Sequence, residues 1–106
     1  SVRGGSKEQM GHACAMALKN LMGLVCDPVA GLVEVPCVKR NVGGAVNALA
    51  AADMALAGIA SHIPVDQVID AMGEVGVKMD VSLRETSMGG VATSPKGLEI
   101  AERLGM

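Results

Sequence analysis

Residues 42–59 read Val42-Gly43-Gly44-Ala45-Val46-Asn47-Ala48-Leu49-Ala50-Ala51-Ala52-Asp53-Met54-Ala55-Leu56-Ala57-Gly58-Ile59. Alanine is the best helix former, and no proline interrupts the run. Apolar residues fall on nearly every side of the resulting helix, which predicts a central, buried position. Gly43, Gly44 and the alanines carry little bulk, so a neighbouring element can approach closely. Asn41 stands where a helix cap is expected.

Working outward, the segment before this helix breaks the pattern. Pro28, Gly31 and Pro36 punctuate residues 24–39, and only Leu32-Val33-Glu34-Val35 looks strand-like. The segment reads as an ordered apolar loop. Upstream, Ser6 and Gln9 have the spacing of a capping box. Met10, Ala13, Cys14, Ala17, Leu18 and Leu21 then recur at helical spacing, ending near Gly23. Residues 1–5 read as a linker. Downstream, residues 61–64 form a turn, and Pro64 opens a third helix carrying Val65, Val68, Ile69 and Met72. It is expected to stop at Gly73 or Gly76. A short helical turn spans Met79 and Leu83, residues 85–90 form a loop, and Ser94-Pro95 starts a last helix. The expected fold is all-α, with four or five helices and a long loop between the first two.

Composition narrows the function. The chain has 106 residues, no aromatic residue and a formal charge of -2, with 19% charged residues. Base-stacking platforms are excluded, and no basic patch is available for a phosphate backbone, so nucleic acid is not an expected partner. No apolar run reaches the roughly 20 residues of a membrane span. Fourteen glycines and no large apolar ring to bury predict marginal stability for so short a chain. It is expected to be a piece of a longer polypeptide.

Three cysteines, Cys14, Cys26 and Cys37, argue against a disulfide framework and for a reducing compartment. Cys14 lies on the first helical stripe and reads as a small buried hydrophobe. Cys26 and Cys37 both lie in the punctuated loop, beside prolines. Their separation is too wide for a zinc-knuckle pair. It suits a loop wrapping an inorganic cluster, for which thiolates are the soft ligands, but spacing alone equally describes two incidental cysteines in a loop, and two thiolates cannot hold a cubane.

The string Cys26-Asp27-Pro28-Val29-Ala30-Gly31-Leu32-Val33-Glu34-Val35-Pro36-Cys37, continued by Val38-Lys39-Arg40-Asn41, closely resembles the cluster-binding segment of iron–sulfur-dependent L-serine dehydratases, in their α chain or catalytic domain. Residues 43–60, His62, Asp66-Gln67-Val68-Ile69 and Glu85-Thr86-Ser87-Met88-Gly89-Gly90 follow in the family's order. The resemblance covers nearly the whole of residues 1–106, as the C-terminal part of the catalytic domain.

That resemblance implies a lyase that converts L-serine to pyruvate and ammonia in the cytoplasm. It implies a [4Fe-4S] cluster as Lewis acid, with Cys26 and Cys37 as two ligands and a third cysteine outside this chain, and no pyridoxal phosphate. The remainder of the catalytic domain, a β chain or regulatory domain, and a further copy of the chain are the implied partners. These residues alone are then expected to be inactive. Arg40 either forks onto the substrate carboxylate, balances cluster charge, or is a surface arginine, and Asn41 is the other candidate beside the cluster. Asp27 is expected to cap a turn or accept a nearby N–H. His12 and His62 are candidate bases with structural alternatives, the base being expected upstream. Thr86 and Ser87 either contact substrate or form a polar turn. A cysteine-desulfurating lyase on the same scaffold and a non-catalytic helical interaction domain are the competing functions.

Overall fold

The computed structural model describes residues 4–32 and 34–105. Among them are four α-helices, α1 (Lys7–Asn20), α2 (Cys37–Leu56), α3 (Val65–Lys78) and α4 (Pro95–Arg103), and no β-strand. The fold is all-α, with the expected long loop between α1 and α2. The linker reading of residues 1–3 and the strand-like Val33 lie outside the described residues, while residues 34–36 form a turn.

The chain divides into two compact units, one of residues 1–23 and 43–77, the other of residues 24–42 and 78–106. In the first unit α1 begins at the capping box foreseen from sequence. The Gln9 amide donates to Ser6 Oγ at 3.1 Å, and the Ser6 amide donates to Gln9 Oε1 at 2.9 Å. Met16, Ala51 and Ala55 form the packed centre, flanked by Ala13, Ala17 and Met54. Small side chains let α1 and α2 approach, and three polar bonds fix their register. Asn47 donates to the Ala17 carbonyl at 2.9 Å, Asn20 donates to Asn47 Oδ1 at 2.9 Å, and Gln9 donates to the Ala55 carbonyl at 3.3 Å. The contact of α1 with α2 therefore includes polar residues, half-buried Gln9 and exposed Asn20, that an apolar stripe omits. The expected stripe is offset: Cys14 is exposed rather than buried, and Met10 is 46% exposed.

The expected central burial of the second helix is also corrected. It buries Ala51 and Ala55, whereas Val46 and Leu49 are each 62% exposed. An all-round apolar helix signals burial only where partners surround it, and the described residues cover one side. The third helix runs past Gly73 and Gly76 to Lys78. An interior glycine costs only about 1 kcal/mol, too little to end a helix with good neighbours.

In the second unit α4 starts where Ser94 accepts from the Gly97 amide and packs on two 3₁₀ turns, Val29–Gly31 and Gly90–Thr93, neither of which the sequence pattern announced. The expected turn near residues 79–83 is the 3₁₀ turn Val81–Leu83, capped by Asp80. The Ser82 hydroxyl and amide both donate to the Asp80 carboxylate and hold it below its ordinary value of 3.8. A lowered carboxyl contributes stability that is complete above the ordinary value and is lost as pH falls through the lowered one. The Ser82 amide resonance should therefore titrate with a midpoint below 3.8, the ordinary value. A midpoint at or above it would contradict the cap.

Candidate functional site

Cys26 and Cys37 both fall in the second unit. Cys26 lies in extended backbone pinned on both sides by residues 83–85. Its amide donates to the Leu83 carbonyl at 2.9 Å, and its carbonyl accepts from the Glu85 amide at 2.8 Å. Beyond Cys26 the chain folds back on itself. The Val29 amide donates to the Val35 carbonyl at 2.9 Å, with Ala30 and Gly31 at positive φ in the bend. Glycine takes this conformation freely, and alanine less so. The excursion returns the chain to Cys37.

The expected boundary is corrected here. The second helix starts at Cys37, so Cys37 is helical rather than part of the loop, and Asn41 is an exposed residue inside the helix rather than its cap. Pro36 precedes the first helical residue, and the Arg40 amide bonds its carbonyl at 3.1 Å. A proline at a helix start needs no donor partner.

The fold brings the two thiols together. The Cys37 sulfur is close enough to act on the Cys26 thiol, and both cysteines are free and half-buried. Burial pushes the Cys26 thiol above its ordinary value, and the Cys37 sulfur and the Glu85 carboxylate add to this, while the Arg40 guanidinium acts the other way. Cys14 belongs to the first unit and is not part of this pair.

Asp27 is 2% exposed. It accepts from the Val91 amide at 2.6 Å and forms an ion pair with Arg40 Nη1. The same Nη1 donates to the Val25 carbonyl at 2.9 Å. Burial would raise the Asp27 carboxyl, but the Val91 amide and Arg40 outweigh it and hold the group below its ordinary range. The expected hydrogen-bonding role of Asp27 is observed, and Arg40 is committed to backbone and to Asp27 rather than free at the surface. The sequence pattern missed Gly90 and Val91 as parts of this site. Gly90 has φ +61°, and a Cβ there would overlap the Asp27 carboxylate.

The remaining candidates make contacts of their own. His12 Nδ1 accepts from the Ser61 amide at 3.1 Å in the first unit, a structural role, and His62 is exposed there. Thr86 donates to the Val81 carbonyl at 2.8 Å, and Ser87 donates to the Pro28 carbonyl at 2.7 Å. Ser87 also edges an apolar groove with Ala30, Gly31, Ala92, Leu98 and Ala101.

Two adjacent soft thiols are suitable donors for iron or an iron–sulfur group. No set of three histidine, cysteine, aspartate or glutamate side chains that could hold a metal ion occurs among the described residues. The donors present fit two ligands of such a group.

A family model, serine dehydratase alpha chain, matches residues 1–92. A protein of Bacillus subtilis (strain 168) named "Probable L-serine dehydratase, alpha chain" is 61% identical over 95% of this chain and 34% of its own. The "L-serine dehydratase, alpha chain" of Peptoniphilus asaccharolyticus is 53% identical over 92% of this chain and 33% of its own. "L-serine dehydratase 1" of Escherichia coli (strain K12) is 47% identical over 84% of this chain and 20% of its own. The chain thus spans about a third or less of the length of these relatives.

Proposed function

This chain belongs to the serine dehydratase alpha-chain family, and from that premise we propose that it is part of a lyase that takes L-serine to pyruvate and ammonia, with Cys26 and Cys37 as two cysteine ligands of a [4Fe-4S] cluster. The observation that carries this reading is that Cys26, pinned by residues 83–85, and Cys37, at the start of the second helix, lie in one unit with their thiols near enough to interact. When bound by three protein thiolates, such a cluster supplies a Lewis acid suited to a hydroxyl leaving group. Because the leaving group is stabilised directly, the reaction needs no imine-forming cofactor such as pyridoxal phosphate.

The residues of this chain do the holding. Residues 83–85 fix the Cys26 backbone, and the second helix fixes Cys37. Arg40 places a cation near Cys26, where an anionic group and its thiolates gain from it. The third cysteine and the base that removes the serine α proton lie in the rest of the catalytic chain. That remainder and a β chain or regulatory domain are the macromolecular partners, and the cytoplasm, where thiols stay reduced, is the compartment. No helix among the described residues is long and apolar enough to cross a membrane.

The test uses the complete protein, reconstituted with iron and sulfide without air. A broad visible absorption band and serine turnover should appear together, and Cys26→Ser and Cys37→Ser should each remove both. Sulfide release from cysteine without serine turnover would transfer the reading to a desulfurating lyase. No band in the parent, with unchanged activity in both variants, would leave a helical interaction domain.

A further inference from the structure

Cys26 and Cys37 sit on different local structures, so the bonds within each do not fix the distance between their sulfurs. Besides the Val29–Val35 backbone bond, one side-chain tie joins the two. Arg40 lies three residues after Cys37 on the second helix, and helical residues three apart share a face. From that position Nη1 reaches the residues on both sides of Cys26, the Val25 carbonyl and the Asp27 carboxylate. Asp27 is in turn held from behind by the Val91 amide at 2.6 Å. It is 2% exposed and Arg40 29%, so the carboxylate end of the pair is desolvated while the guanidinium still reaches water. At Gly90 the chain passes so close to Asp27 that an ideal Cβ would lie 2.7 Å from its carboxyl carbon.

We propose that Asp27 and Arg40 are positioning residues: their buried tie sets the separation of the Cys26 and Cys37 sulfurs, and Gly90 leaves the room that the carboxylate needs. The purpose of the tie rests on the cluster reading above, but the thiol geometry is measurable without iron. A buried ion pair is a weak source of net stability and a good source of fixed geometry, because each partner is costly to leave alone. Here the fixed geometry is that of two soft donors.

The test uses the complete protein, reduced and iron-free, with phenylarsine oxide as a probe that bridges two neighbouring thiols. Mass spectrometry follows capture, and Cys26→Ser gives the background. Arg40→Gln keeps hydrogen-bond donors and loses the charge, while Arg40→Lys keeps the charge and donors that can serve both acceptors. Unfolding curves fix conditions in which each variant is folded. Capture should slow about tenfold in Arg40→Gln, equivalent to ~1.4 kcal/mol, and stay within about twofold in Arg40→Lys. Cluster absorption after reconstitution should follow the same order. If Arg40→Gln does not fold, Asp27→Asn takes its place under the same criterion. Capture at the parental rate in the folded charge-neutral variant would overturn the proposal. Arg40-dependent capture in a protein that takes up no cluster would sustain the positioning role and remove the cluster reading.

Discussion

Replacing Arg40 by alanine is expected to cost about 3–5 kcal/mol, more than replacing Asp27, although either change breaks the same ion pair. The difference comes from what each leaves behind. Arg40→Ala leaves a carboxylate that is 2% exposed and held only by backbone amides, that of Val91 and its own. Asp27→Ala leaves a guanidinium that is 29% exposed, still bonded to the Val25 carbonyl and able to reach water. An unpaired charge that meets water costs far less than one that does not. The loss should be local, since Arg40, Asp27 and Val91 all belong to the second unit. Hydrogen exchange at the Cys26 amide reads it, because that amide donates to the Leu83 carbonyl within the same unit and neither substitution removes that bond itself. The expected order of protection is parent, then Asp27→Ala, then Arg40→Ala. Equal protection in the two variants would show that the carboxylate is not desolvated as the structure has it.

The features legible in the sequence are those with local causes. The Ser6–Gln9 capping box and the Ser94 cap before Pro95 need only residues within one turn, and both are present. The long loop with its prolines follows from one contiguous string. What was not legible depends on distant partners. The face of α1 buried against α2 is chosen partly by Gln9 and Asn20, through bonds to residues 46 and 27 positions away. Apolar periodicity cannot see such bonds, and so it misplaced Cys14. Asn41 has the chemistry of a cap, but Pro36 sets the helix start five residues earlier, and an exposed asparagine inside a helix costs only a few tenths of a kcal/mol. The Asp27–Val91 bond joins residues 64 apart, and a Gly-Gly pair in a loop announces flexibility rather than a carboxylate beside it.

That glycine is the place where a single methyl group should do the most damage. Gly90→Ala faces two separate penalties. The first is conformational: at φ +61° an alanine side chain crowds its own carbonyl, at roughly 1–2 kcal/mol. The second is steric and electrostatic. The new Cβ would lie 2.7 Å from the Asp27 carboxyl carbon and 2.9 Å from its Cβ, so the Asp27 side chain would have to leave the position in which the Val91 amide and Arg40 hold it. The carboxylate must then move off the Val91 amide and Arg40, which brings in much of the cost of a broken buried pair, for a total of about 3–5 kcal/mol. Gly58→Ala separates the two terms, since Gly58 has φ +93° and nothing within 4 Å of its would-be Cβ. It should show the conformational penalty alone, about 1–2 kcal/mol. Urea unfolding of the complete protein, with Val91 exchange as the local probe, measures both. If Gly90→Ala costs no more than Gly58→Ala, the carboxylate is not where the structure puts it. If it costs more and also slows arsenical capture by Cys26 and Cys37, the same carboxylate links the 3₁₀ turn at Gly90 to the separation of the two thiols.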